Sequence, residues 1–319
     1  MKLPFTSNLL SSARQNAGWL AICPNDKGVY FAHVKHLKKK PHVMACVFYP
    51  AEIGVPVAME KLRKEKRLGG FHFTSLLMPN EYQILLVEAP NVPSDELKTA
   101  VRWRIKDVLS YHIDDATVDV LQVPVNKKSG VERPASLYAI AASNEIIKNR
   151  IALFEKAKLN LRVIDIPEMA QRNIAALFEE GEFGLALLSF DEHGGLLTIT
   201  SGGELYLTRR LDITDGQLQD SDENLRQQNL ERVELELHRS LDYFGRQFSH
   251  IPVNRMLVSA PERLGLVQQL APSLDIPVEQ LDLSRVLDIS AVPELTDSEF
   301  AAHMLLTLGA ALRQERRAL

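Results

Sequence analysis

The order strand, turn, strand, strand, helix occurs twice along this chain, and that repetition constrains its fold more than any other feature. The first copy has strand-like runs at 18–23 and 29–34 around the turn-forming Pro24-Asn25-Asp26-Lys27-Gly28. A third run at 42–49 leads to a helix over about 57–67, stopped by Gly69-Gly70. In the second copy, runs at 184–190 and 196–201 flank Asp191-Glu192-His193-Gly194-Gly195, Ser201-Gly202-Gly203 turns into 205–211, and a helix covers about 222–248. Leu20-Ala21-Ile22-Cys23 and Leu185-Ala186-Leu187-Leu188 match in composition. Two copies of one α/β unit predict a duplication: two lobes with a cleft between them.

Between the copies lie a strand at 82–89, a helix at 94–109, strands at 117–125 and 136–142, and a helix at 144–158, which read as a small α+β insert. In the 94–109 helix, Leu97, Ala100, Val101, Ile105, Val108 and Leu109 share one face, and Ser94 is the expected N-cap. A strand at 255–259, a helix at 262–270, a strand at 278–281 and a helix at 298–316 complete the second lobe. The expected division is a first lobe over 1–80, an insert over 81–160, and a second lobe over 161–319 whose 222–260 region is an outer subdomain.

The 319 residues suit two lobes, and 45% hydrophobic with 24% charged residues suits folded cores. The opening MKLPFTSNLL lacks the unbroken apolar centre of a signal peptide, and no run approaches the roughly 18 apolar residues that span a bilayer. Cys23 and Cys46 sit in strand-like runs as expected of reduced core thiols, so a cytoplasmic protein is expected. His33, His36 and His42 have no Cys or carboxylate at ligand spacing, so no metal site is expected. P-loop, zinc-cysteine and nucleophile-turn patterns are likewise missing from the sequence, and no enzyme is expected. Asp165 reads as a helix N-cap with Glu168 as its capping-box partner.

Charge is uneven. Residues 1–78 carry 12 Lys/Arg against 4 Asp/Glu, and the rest of the chain 25 against 37. The positive excess gathers at Lys35 to Lys40 and Lys61 to Arg67. No aromatic is interleaved there, which argues against nucleic acid and leaves an anionic membrane face or a solvated helix surface.

Several segments resemble the PilM family of type IV pilus biogenesis proteins, and in particular its MshI branch from the mannose-sensitive hemagglutinin pilus. They are Leu97-Lys98-Thr99-Ala100-Val101-Arg102-Trp103 with Tyr111-His112-Ile113-Asp114-Asp115, Val163-Ile164-Asp165-Ile166-Pro167-Glu168, Glu236 through Phe244, and Leu308-Gly309-Ala310-Ala311-Leu312-Arg313. The resemblance implies an α/β, actin-like ATPase (ribonuclease H-like) fold: two duplicated lobes with an inserted α+β subdomain. It also implies a place at the cytoplasmic face of the inner membrane.

Departures from the family pattern bear on function. The first-hairpin Asp-x-Gly, which in the family holds nucleotide phosphate and magnesium, falls at Cys23-Pro24-Asn25, and a family lysine falls at Tyr30. A thiol replaces the carboxylate and proline removes a backbone donor. The second Asp-x-Gly falls at Ser189-Phe190-Asp191, where a carboxylate about 4 Å from phosphate would cost about 4 kcal/mol at an effective dielectric of 20. A two-residue slip to Asp191-Glu192-His193-Gly194 restores an acid and a glycine, which keeps residual nucleotide binding open. The adenosine-side turn reads Ser259-Ala260-Pro261-Glu262. The expectation is a degenerate cleft without cofactor, and the alternative is an ATP- and magnesium-binding protein of the same machinery. The family's partner, the N-terminal cytoplasmic tail of a PilN-like single-span inner-membrane protein, is expected in a groove beside the insert, lined by Tyr82, Arg102, Trp103, Lys106 and Tyr111. Only peripheral membrane contact and no nucleic acid are expected, and oligomerisation is left open.

Overall fold

The computed structural model describes residues 19–37, 40–52, 54–68, 71–125 and 135–314. The features expected at 1–18, Lys38-Lys39, Gly69-Gly70 and 315–316 lie outside the described residues. The chain runs β1 (Trp19–Pro24), β2 (Gly28–Lys35), β3 (His42–Pro50), α1 (Val55–Glu65), β4 (His72–Leu76), β5 (Tyr82–Glu88), α2 (Leu97–Ile105), β6 (Ala116–Gln122) and β7 (Ser136–Ser143). It continues through α3 (Asn144–Lys156), β8 (Asn160–Asp165), α4 (Pro167–Ala175), β9 (Gly184–Asp191), β10 (Gly194–Ser201) and β11 (Glu204–Leu211). Next come α5 (Glu223–Gln247), β12 (Val253–Ser259), α6 (Leu266–Leu270), β13 (Val278–Gln280) and α7 (Ser298–Ala311).

Two five-stranded sheets share one plan. The first has the order β3-β2-β1-β4-β8 and the second β11-β10-β9-β12-β13. In each, three antiparallel strands form a meander and two parallel strands follow. The repeat seen in the sequence is therefore a repeat of topology.

Side-chain alternation assigns the two faces of each sheet. Leu20 and Ile22 point outward with Phe31 and Phe73 onto α1 and α3, where Met59, Leu62 and Phe154 are buried. Ala21, Ala32 and Val34 point inward, joined by Leu185, Leu187 and Leu257 from the second sheet. On that sheet Ala186 and Leu188 face α5, meeting Val233, Leu237 and Phe244. A buried Leu or Phe contributes about 1.5–3 kcal/mol, so a one-residue slip that exchanged the faces would forfeit most of a lobe's core.

The layer between the sheets is built by α4 and α7, which carry Ala170, Ile174, Met304, Leu305 and Leu308. The helices cross backbone to backbone: a Cβ on Gly309 would lie 2.1 Å from the Ala170 carbonyl oxygen. Asn173 Nδ2 fixes the crossing by donating to the Gly309 carbonyl at 2.9 Å. The insert is the antiparallel sheet β5-β7-β6. Leu137, Ala139 and Ala141 of β7 face Leu97, Val101 and Ile105 of α2. Tyr138, on the other face, meets Leu205 of β11.

Sheet pairing moves some sequence-derived boundaries. β4 was not expected; its Thr74 and Ser75 are both fully buried, and two successive polar residues conceal a strand. β8, given to the second lobe from 161, pairs with β4 in the first sheet. α3, given to the insert, covers that sheet's outer face through Phe154 and Ala157. The 222–260 region is split: α5 covers the second sheet and β12 is an inner strand of it.

Three helices are shorter than expected, one of them the 298–316 helix, which ends as α7 at Ala311. Helix α2 begins after Glu96 with no side-chain cap, so Ser94 is not its N-cap, and it ends at Ile105. Val108, expected on the buried face, is exposed, because its N–H bonds back to the Ile105 carbonyl and tightens the chain. Gly265, at φ 63°, interrupts the expected 262–270 helix.

Candidate functional site

The two repeat hairpins aim their turns at one another across the gap between the sheets. In the first turn Asn25 Oδ1 accepts from the N–H groups of Lys27 (3.1 Å) and Gly28 (3.0 Å). In the second, Asp191 Oδ1 accepts from His193 N–H at 2.8 Å. Gly194 there has φ 118°, and a Cβ on it would sit 2.5 Å from the Leu211 carbonyl oxygen, so glycine is required. The tips are joined. Asn25 Nδ2 donates to Glu192 Oε1 at 3.2 Å, and Lys27 Nζ lies 3.6 Å from the same oxygen.

Beneath this bridge Cys23, Asn25, Tyr30, Ser189 and Asp191 line one cavity of about 80 Å³. A second, outer cavity of about 750 Å³ adjoins it, bordered by Asn25, Asp26, Glu81, Asn149, Arg150 and His193. Its Arg150 guanidinium is engaged by Ser75 Oγ (3.1 Å), the Leu76 carbonyl (2.5 Å) and Glu81 (2.5 Å). The slipped register describes the second turn: 191–194 is the hairpin tip, whereas Ser189 and Phe190 lie within β9.

Protonation follows from burial. The Cys23 thiol is pushed up to about 11 and the Tyr30 phenol to about 12, each chiefly by burial, with Glu192 adding to the second. Neither ionises near neutrality, so Cys23 offers no thiolate nucleophile. Burial also raises the Asp191 carboxyl, against the bond from the His193 amide. Ser189 Oγ donates to Gln171 Oε1 at 2.7 Å, while Gln171 Nε2 reaches the Leu187 and Leu196 carbonyls and Thr198 Oγ1. The serine is thus held toward α4.

Other sequence-derived site residues are not gathered here. Ala260 and Pro261 are buried and border neither cavity. The Ala260 carbonyl accepts from Gln280 Nε2 at 2.8 Å, and the next free amide, of Glu262, is taken by Ser298 Oγ at 3.0 Å.

The expected groove is also divided. Tyr82 is buried, and its hydroxyl bonds to Glu168 Oε2 at 2.5 Å, which takes it away from the α2 surface. Arg102 donates to the carbonyls of Ala116 (2.9 Å) and Ile113 (2.7 Å), bracing the loop before β6. Tyr111 packs at the edge of the insert core with its hydroxyl buried and unbonded. Trp103, 64% exposed, has Lys106 Nζ at 5.8 Å from its ring centroid, so these two remain a surface pair.

Sequence reasoning missed three residues of the inter-lobe joint: Glu168, Arg210 and Glu192. Asp165 is the last residue of β8, not an N-cap; it accepts from Ile166 N–H and pairs with Arg313. Glu168, expected to be its capping partner, is completely buried and accepts from both Tyr82 and Arg210 (3.0 Å). The sequence signal was an acid at the second residue of the helix, three positions before the polar Gln171 on the same buried face.

Two sheets of order 3-2-1-4-5, joined by a pair of crossing helices and flanking a cleft, define the actin-like ATPase fold. Neither family models nor curated proteins match the chain. Among solved structures it is similar to a chain of the PilM–PilN type IV pilus biogenesis complex, with a TM-score of 0.71 and 17% identity over 92% of this chain and 99% of that one. It is also similar to the cytoplasmic domain of EpsL, an inner-membrane component of the type II secretion system of Vibrio cholerae, with a TM-score of 0.50 and 11% identity over 93% and 96% of the two chains. A Bacteroides thetaiotaomicron protein with an actin-like ATPase fold matches at TM-score 0.50 and 8% identity, over 95% and 98%. At such identities the likeness establishes the fold.

Proposed function

We propose that this chain is a non-catalytic scaffold of a type IV pilus assembly platform, working through partner binding at the cytoplasmic face of the inner membrane. The observation that carries the reading is the Asn25–Glu192 bridge. It joins the two hairpin turns, which the resemblance makes the phosphate-flanking turns of an actin-like protein, and holds the Glu192 carboxylate between them. A polyanion entering there meets Glu192 and Asp191 at close range, and like charges about 4 Å apart cost about 4 kcal/mol at an effective dielectric of 20. The fold likeness to the PilM–PilN chain supports the assignment to pilus machinery, and the residues quoted above support the MshI branch. Among the described residues no helix is long and apolar enough to cross a membrane.

The partner in this reading is a PilN-like single-span protein, held by its N-terminal tail beside the insert. Trp103 and Lys106 supply the exposed aromatic and cation of that surface. Pull-down with synthetic tails of candidate pilus membrane proteins tests this. One tail is expected to bind, and Trp103→Ala is expected to weaken it at least about tenfold, as loss of an aromatic anchor does. Failure of every tail to bind the wild-type chain would contradict it.

A second reading, nucleotide binding by an actin-like switch, is favoured by two observations, the first being that the hairpin tip is 191–194, the register that restores an acid and a glycine. The 750 Å³ outer cavity borders the Gly194 turn and is large enough for a small-molecule ligand, whose sites span about 300–1,000 Å³.

A further inference from the structure

Apart from Lys27, which faces Glu192, the basic excess of the first lobe lies away from the hairpin tips. Helices α1 and α3 lie side by side on the outer face of the first sheet. On α1, Val57, Lys61 and Lys64 form one exposed stripe at i, i+4 and i+7; on α3, Ile151 and Glu155 are exposed at i and i+4, and Lys158 is exposed just past the helix end. Lys158 comes close enough to Glu60 to help lower its carboxyl, after Lys64 and Arg63.

Both helices end in the same way. Leu68 N–H bonds to the Arg63 carbonyl (3.1 Å), and Leu159 N–H to the Phe154 carbonyl (2.9 Å), each a six-residue closure followed by a buried leucine. The left-handed residue of each closure is a cation, Arg67 at φ 52° and Lys158 at φ 56°, and these are the only non-glycine residues of positive φ among the described residues. Glycine occupies that position without the steric cost a side chain pays.

The acids of this face are partly used up. Glu60 pairs with Lys64 at 2.7 Å, and Glu65 pairs with Lys61 at 4.0 Å and accepts from Tyr49. Lys66, Arg67 and Lys156 form no ion pair among the described residues, and all three are exposed.

We propose that this face, at the C-terminal ends of α1 and α3, docks on an anionic lipid bilayer. Its cations are spread over two helix ends rather than converging on a point, which matches a plane of headgroups better than a single ligand. The exposed large apolar residues of the two helices are aliphatic, Val57 in the first turn of α1 and Ile151 midway along α3, and provide no stacking surface for bases. Each juxtamembrane cation strengthens such docking about fivefold. The proposal holds independently of any protein tail or nucleotide.

Co-sedimentation of the full chain with vesicles tests it. Wild type is expected to bind phosphatidylcholine vesicles containing about one-third phosphatidylglycerol and to ignore pure phosphatidylcholine. R67G/K158G, which places glycine where the backbone prefers it, is expected to keep its Tm and lose at least about tenfold in partitioning. K66Q/K156Q, which alters no backbone requirement, is expected to show a similar loss. R239Q/R246Q, on α5 of the other lobe, is expected to bind as wild type does. Equal wild-type binding to both vesicles, no binding to either, unchanged partitioning of both first-lobe variants, or the same loss in the α5 variant would overturn the proposal. So would binding to an oligonucleotide in its place.

Discussion

Glu168 shows how much a single side chain does here. It is completely buried on α4, yet Tyr82 of the insert and Arg210 of β11 both donate to it, so one carboxylate ties three parts of the molecule together. Removing one partner of a buried charge pair strands the other. Glu168→Ala is expected to cost about 3 kcal/mol, at the low end of such losses because Arg210 is 28% exposed. Tyr82→Phe, which takes away only a hydroxyl, should cost about 1–2 kcal/mol. Urea denaturation of both variants measures the difference; equal costs would mean that the network is not centred on Glu168.

Asp191 yields a pH dependence whose sign is fixed by its environment. Burial raises its carboxyl in the folded state, so the native chain holds that proton longer than the unfolded chain does. Stability from this group therefore falls as pH rises from the ordinary aspartate value through the raised folded value, then levels off. Asp191→Asn keeps an oxygen for the His193 amide and has no charge to bury. The variant is expected to be more stable than wild type at neutral pH, with the gap closing below the ordinary aspartate range. Thermal denaturation across that range checks it, and a gap that widens in acid would reverse the assignment.

Among the elements, α4 and α7 build the layer between the two sheets. Their crossing is possible because Gly309 has no side chain, and Gly309→Ala would drive a Cβ to 2.1 Å from the Ala170 carbonyl oxygen. Backbone cannot yield as a flexible side chain can. About 3 kcal/mol of destabilisation is expected in chemical denaturation, with Asn173 losing its bond to Gly309 as the helices part. A cost below about 1 kcal/mol would show that the crossing can loosen freely.

Element by element, what the sequence revealed depended on patterning. The meanders β1-β2-β3 and β9-β10-β11 were legible because apolar runs met strong turn residues. β4 and β8 were not: buried Thr74 and Ser75 interrupt the apolar run of β4, and in β8 the exposed Asn160 and Arg162 alternate with Leu161 and Val163 over too few residues to form an apolar run. Those two strands complete the first sheet, so the sequence reading left that lobe short of its edge. The site fared similarly. The hairpin residues Cys23, Asn25, Tyr30, Ser189 and Asp191 meet around one cavity, because topology alone brings repeat-equivalent turns together. Long-range partners such as Arg210 and Glu192 left no local trace. Tyr82, a groove candidate from sequence, is a core residue for the same reason: its partners lie 86 and 128 positions away.

At the scale of the whole molecule, two like lobes share an inner helical layer and touch again at their hairpin tips. The duplication was readable from element order, and the α/β class with it. The closure of the tips was not, because it depends on Asn25 and Glu192, residues 167 positions apart. In the proposed function, that closure is what separates a scaffold from a nucleotide switch. A ligand present at 100 times its Kd adds about 2.7 kcal/mol to stability, which is easily seen as a shift in Tm. Scanning calorimetry of the full chain, with and without millimolar magnesium–ATP, is therefore the direct test. The account predicts the same Tm in both; a rise of several degrees would contradict it and make the cleft a nucleotide site.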